Sequence, residues 1–336
     1  MVRGIPSIGD NKADSSYGTP IDVTKRSVAV IGYRGAGKTT FMGLLALHIG
    51  YLASIDNRIT YLFKPYLFKP GVYDFPLQKW DEILENIRNG EPLQATDVTK
   101  KPYVGRLVVR YPKLLGSGEF NIVDLAGELY QPIMDFIFNA KSKDFDYNQW
   151  NKGLIERLKS LGITKDDLRD IYDFIFNAKA YLIMINLEDA LSAILTIFKN
   201  NASNDNPDIK SLLGRYFTVV TNLVNYRREQ KNLPHVGIVL THYDKVKEYI
   251  EGNLGFNVWD NYDDRVRLMN YVGALILNEL KDLRKDVPIF ITYYEKPSTR
   301  INPDGNRLPT YPQKEYDGIF DWIRKALLCG PLQFIS

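Results

Sequence analysis

Ser27-Val-Ala-Val-Ile-Gly32-Tyr-Arg-Gly-Ala-Gly37-Lys38-Thr39 is a short apolar run leading into a glycine-rich turn. From Gly32 it matches G-x-x-x-x-G-K-[ST], and an amphipathic pattern (Phe41, Leu44, Leu45, Ile49, Leu52) follows at helical spacing. Strand, loop and helix in that order suit phosphate binding, the plain alternative being a Gly-rich turn with a surface lysine. Glycines let backbone N–H groups curl around an anionic oxygen, and the start of the helix adds partial positive charge. The loop residues Arg34, Gly35, Ala36, Gly37, Lys38, Thr39 and Thr40 form the expected cradle. In it Lys38 reaches the β- and γ-phosphates as a point charge, and Thr39 offers its hydroxyl to Mg²⁺.

Further along the chain, apolar runs at 106–110, 120–124, 180–187, 236–241 and 288–292 alternate with helical stripes. The stripes are Trp80–Ile87 (closed by Gly90), 209–220, 268–276 and 319–327. Runs so free of charge are strands buried on both faces, so an α/β fold with a mostly parallel, six-stranded sheet between helical layers is expected. No change of composition marks a second domain. A polar, Gly/Ser/Asp/Pro-rich arm (1–24) precedes a single domain over 25–336. That domain carries two long insertions, at about 54–103 and 128–178, read as helical; loops of such length inside a domain usually have a function. The exact repeats 61–65/66–70 (YLFKP) and 135–141/173–179 (DFIFNAK) are too few for a solenoid and are read as local duplications.

The chain has 336 residues, 45% apolar and 25% charged, which is ordinary globular composition. Its 43 basic and 40 acidic residues nearly cancel, so bulk charge points to neither nucleic acid nor a lipid surface. A lone cysteine, Cys329, excludes an internal disulfide framework and a thiolate zinc cluster. His48, His235 and His242 have no metal-ligand spacing; His48 falls on an apolar helical stripe as a core-edge residue. No run is long enough to span a bilayer and no signal segment opens the chain, so a cytoplasmic protein without an integral membrane segment is expected. Arg227-Arg228 reads as a solvated helix face.

Two more motifs follow the loop. Phe120-Asn-Ile-Val-Asp124-Leu-Ala-Gly127 is a strand ending in a carboxylate, then D-x-x-G. Asp124 suits a second-shell Mg²⁺ ligand, and Gly127 can present its N–H to a γ-phosphate because no Cβ blocks approach. Val236-Gly-Ile-Val-Leu-Thr241-His242-Tyr243-Asp244 is a strand followed by T-H-Y-D.

With these three motifs the chain resembles the Ras-like P-loop GTPases of the translation-factor-related class, in scattered segments between about 25 and 300. Gly90-Glu-Pro-Leu-Gln-Ala-Thr96 also looks like a stretch of double-GTPase-type relatives. The resemblance implies a three-layer, Ras-like P-loop fold that binds GTP or GDP with Mg²⁺. It implies that Asp244 accepts guanine N1–H and the exocyclic amine, beside Thr241 and His242. Thr96, with Thr99 as the other candidate, would be the switch threonine, closing over Mg²⁺ through hydroxyl and backbone. The sixth-strand motif would fall at Ile291-Thr292-Tyr293-Tyr294.

The chain departs from the pattern in three places. His242 replaces the usual lysine, whose stem packs on the base; an imidazole can stack instead. Glu128 stands where many relatives carry the water-orienting glutamine, which implies slow hydrolysis or a water positioned from elsewhere. Arg34 either faces solvent, hinders an arginine finger, or approaches transition-state charge in cis. The expected catalytic set is Lys38, Glu128, Arg34 and Thr96; the metal set is Thr39, Thr96 and Asp124. The leading reading is a slow GTPase switch, its insertions a lid or a surface for a protein effector or regulator. An assembly or motor ATPase and a GTP-gated scaffold are the alternatives, and homodimerisation across the nucleotide is left open.

Overall fold

The computed structural model describes residues 27–33, 35–65, 74–89, 104–112, 117–125, 127–139, 147–159, 165–191, 207–231, 233–272, 287–295 and 310–328. The strands β1 (Ser27–Ile31), β2 (Thr60–Pro65), β3 (Val104–Pro112), β4 (Ser117–Leu125), β5 (Ala180–Asn186), β6 (His235–Thr241) and β7 (Ile289–Ile291) form one sheet, ordered β2-β3-β4-β1-β5-β6-β7. From β4 to β7 neighbours run parallel, with Ala29 opposite both Val123 and Tyr181; β2 and β3 join antiparallel at the other edge. Every residue of β1 and β5 is buried, as expected when helices cover both faces.

β1 lies where the winding changes from one half of the sheet to the other. In open α/β sheets, ligand crevices form at such a point, beyond the carboxyl ends of the strands.

The helices are α1 (Lys38–Ile55), α2 (Asp74–Asn89), α3 (Gly127–Asn139), α4 (Tyr147–Lys159), α5 (Lys165–Asn177), α6 (Pro207–Glu229), α7 (Tyr243–Glu248), α8 (Tyr262–Val272) and α9 (Gln313–Leu328). A π-turn, Tyr249–Asn253, extends α7. α1 packs on α2 and α9, and α3 packs on α4 and α6. No helix among the described residues is long and apolar enough to cross a membrane.

The expected α/β architecture with a mostly parallel sheet is present, with two corrections. The described sheet has seven strands rather than six, and the insertion at 54–103 is not purely helical, because it holds β2 as well as α2. The missed strand carries Lys64 and Pro65, residues that edge strands tolerate and central strands do not, so it lacks the apolar pattern that marked the others. The arm 1–24, Gly90, Thr96, Thr99 and Cys329 lie outside the described residues.

Where residues 128–178 are described before β5 they form α3, α4 and α5, and the repeat among them has a packing role. The two copies of Asp-Phe-Ile-Phe-Asn close α3 and α5, and both reach Trp150 of α4. Phe136 and Phe176 meet its indole edge-on at 5.4 and 5.3 Å. Arg227 corrects the solvated-face reading. It is 1% exposed, and its guanidinium donates to the carbonyls of Phe176 and Ala178, tying α6 to the lead-in of β5. His48 is buried as expected, its Nε2 3.0 Å from Asp317 and its Nδ1 3.3 Å from the Tyr311 hydroxyl. Burial lowers its pKa, against the opposing pull of Asp317.

Candidate functional site at the end of strand β1

β1 ends at Ile31, and the chain turns through residues that permit left-handed backbone. Gly35 has φ +86° and Gly37 φ +76°. Ala36 N–H donates to Tyr33 O at 3.2 Å, and the ladder of α1 opens with Phe41 N–H on Gly37 O at 2.9 Å. Among the described residues no side chain caps α1 and its first turn has no acid, so the positive end of its dipole faces the loop. Lys38 is 7% exposed and folds back over the loop, its Nζ donating to Gly32 O (2.8 Å) and Tyr33 O (2.9 Å).

A polar brace at the end of β5 supports this loop. Asn186 Nδ2 donates to Gly35 O at 3.4 Å and to Asp189 Oδ2 at 2.9 Å, while its Oδ1 accepts the backbone amide of Glu188. Tyr33 OH donates to the same Asp189 oxygen at 3.2 Å. Burial and the Asp189 charge hold that phenol protonated. Sequence reasoning missed Asn186 and Asp189. The available signal was a polar residue ending an otherwise apolar strand, with a carboxylate three residues on.

The third motif closes on the loop from the β6 side. Thr241 is buried, its Oγ1 3.1 Å from Ala36 O and 3.2 Å from Ile185 O, so one hydroxyl bridges segments 205 residues apart. His242 precedes α7 with φ 59°, its Nδ1 3.1 Å from Thr241 Oγ1. A Cβ built on Gly37 would stand 3.2 Å from His242 Cε1, so the two turns touch.

Asp244 follows in the first turn of α7, only partly exposed, its Oδ2 3.6 Å from Lys245 Nζ. Tyr243 points the other way, into the core. Its hydroxyl donates to Glu251 at 2.7 Å, and its ring stands edge-on to Trp259. Burial and Glu251 together push that phenol's pKa up. Thr292, just past β7, donates its amide to Leu240 O at 2.8 Å and fixes the last wall.

Between these walls lies a cavity of about 610 Å³, lined by Gly37, Thr40, Phe41 and Leu44 of the loop and α1, by Thr241, His242, Asp244 and Lys245, by Thr292, Tyr293, Tyr294 and Glu295, and by Tyr316 of α9. That is the size of a small-molecule site, apolar in body with a few polar groups. Asp124 sits at the carboxyl end of β4, beside β1 and opposite Gly105. Gly127 and Glu128 begin α3 directly after it.

The structure therefore gathers Gly37 and Thr40 with Thr241, His242 and Asp244 around one cavity, whose lining does not include Gly35, Ala36, Lys38 or Thr39, and sets Asp124 and Gly127 at the neighbouring strand end. Arg34 lies outside the described residues, as does Thr96. Among the described residues, no group of three His, Cys, Asp or Glu side chains is placed to hold a metal ion. Comparison with family models, with curated proteins and with solved structures finds no match to this chain.

Proposed function

We propose that this chain is a Ras-like P-loop GTPase that binds GTP with Mg²⁺, hydrolyses it slowly, and acts as a nucleotide-dependent switch toward a protein partner. The observation that carries this reading is the cavity shared by Gly37 and Thr40, at the start of the helix that follows the glycine-rich loop, with the Asp244 carboxylate. A nucleotide needs both, an anion cradle for its tail and a selective acceptor for its base. Asp244 accepts the two adjacent donors of guanine, N1–H and the exocyclic amine, a pair adenine lacks. His242, held against Gly37 and Thr241, is the proposed packing partner of the base.

Thr39 and Asp124 suit Mg²⁺ by chemistry. A hydroxyl and a carboxylate are hard oxygen donors, and Mg²⁺ keeps waters and phosphate oxygens for its remaining positions, so a dedicated cluster is not required. The ion, when bound, would neutralise charge on the β- and γ-phosphates. Lys38 supplies a second positive charge from within the loop. Gly127 gives close backbone approach, and Glu128 replaces the neutral water-orienting amide with a carboxylate, which slows attack on an anionic phosphate. Arg34 and Thr96 complete the proposed set, in cis and as the switch residue.

β3 runs antiparallel to β4, so the chain enters β3 at Val104 beside the end of β4 that carries Asp124. The helical insertion α3–α5 is the proposed surface for the effector. Glu128 also favours a second reading, a GTP-gated scaffold with negligible turnover; an ATPase would leave Thr241–Asp244 without a role.

The test is the affinity of the full chain for GTP, ATP and xanthosine triphosphate with Mg²⁺, before and after Asp244→Asn. GTP should bind at least about 100-fold tighter than ATP, and the variant should exchange that preference for the xanthine nucleotide, which presents an acceptor where guanine has a donor. Tighter binding of ATP overturns the reading. Single-turnover rates on the same protein separate the switch from the scaffold.

A further inference from the structure

The floor of the cavity holds a polar group that neither the phosphate loop nor the Thr241–Asp244 turn uses. Tyr316 of α9 is 0% exposed and lines the cavity. Its ring is fixed on three sides, stacked on Phe41 at 5.8 Å, edge-on to Tyr311 at 5.3 Å and against His48 at 5.9 Å. Its hydroxyl is buried with no hydrogen-bond partner among the described residues. A buried hydroxyl left unpaired is costly, and native structures rarely keep one without a purpose. Burial raises the phenol's pKa well above its ordinary value, so the group stays a neutral O–H donor.

We propose that Tyr316 is a base-reading residue whose hydroxyl donates to an acceptor, O6 or N7, on the Hoogsteen edge of the bound purine. This rests on the reading of the cavity as a guanine-nucleotide site. Asp244 takes the donor edge of the base at the α7 wall, which leaves the acceptor edge without a partner from that turn. Tyr316 lines the cavity with its hydroxyl covered, and a small shift on binding that uncovers it completes the pairing. The rings of Phe41, Tyr311 and His48 hold it in place, so little freedom is lost on binding.

Tyr316→Phe in the full chain tests this, with thermal unfolding of the nucleotide-free protein and GDP affinity in Mg²⁺ measured side by side. The two readouts should diverge. Unfolding temperature holds or rises, because an unpaired buried hydroxyl is gone, while GDP affinity falls about tenfold, the worth of one lost hydrogen bond with its partner left unpaired. Repeating the titration with 7-deaza-GDP assigns the acceptor: a penalty that vanishes places the bond at N7, one that persists places it at O6. Unchanged GDP affinity overturns the proposal while leaving the guanine-nucleotide reading intact. So does a parallel fall in unfolding temperature and affinity, the mark of a packing residue. A wild-type protein that binds no guanine nucleotide overturns both.

Discussion

Two turns in this molecule solve one geometric problem with different residues. Each leads from the end of a buried parallel strand into a helix, and each places a left-handed residue immediately before that helix: Gly37 before α1 and His242 before α7. Neither uses a side-chain cap. Glycine takes that conformation without steric penalty, whereas a Cβ-bearing residue is disfavoured there by about 1–2 kcal/mol. Gly37 has a second reason to lack a Cβ, since His242 Cε1 would be 3.2 Å away. His242 bears the strain and in return presents its ring to the cavity. Backbone strain is thus kept at one turn and avoided at its neighbour.

The largest effect expected from breaking this contrast is at Gly37. Gly37→Ala meets both the conformational penalty and the imidazole. We expect about 2 kcal/mol lower stability in denaturant titration and loss of measurable nucleotide binding. Gly35 sharpens the comparison. At φ +86° it shares the conformation, but an added Cβ would meet nothing within 4 Å. Gly35→Ala should therefore cost about 1 kcal/mol, from strain alone. A cost equal to that at Gly37 would show that contact with His242 contributes nothing. The smallest effect is expected at His242. His242→Gly should stabilise the fold by about 0.5 kcal/mol while weakening guanine nucleotide binding a few-fold. Combined with Gly37→Ala, it should recover part of that variant's loss. Strict additivity in the cycle would mean the two turns are independent.

The same contrast explains what could be read before any coordinates. The runs that became β1, β5 and β6 were legible because burial on both faces demands an almost uninterrupted apolar string. The glycine-rich loop was legible because its backbone chemistry needs glycine at fixed positions, and Asp244 because a strand led directly to it. β2 was hidden because an edge strand tolerates charge and proline. Arg227 was misread because a buried guanidinium paired to backbone carbonyls looks, in sequence, like any surface arginine. Asn186, Asp189 and Tyr316 were invisible for a related reason. A hydrogen bond between distant segments has no period, and a tyrosine on a helical stripe does not announce whether its hydroxyl is satisfied.

The attachments of β5 have a mechanical consequence. One end is tied through Arg227 to the last residues of α5, and the other through Asn186 to the carbonyl of Gly35. Seven residues of fully buried strand, about 23 Å, join those anchorages. Such a strand resists stretching and cannot slip its register without exposing the core, so it behaves as a stiff strut. A displacement of α5 is thereby passed along the strand to the turn at Gly35.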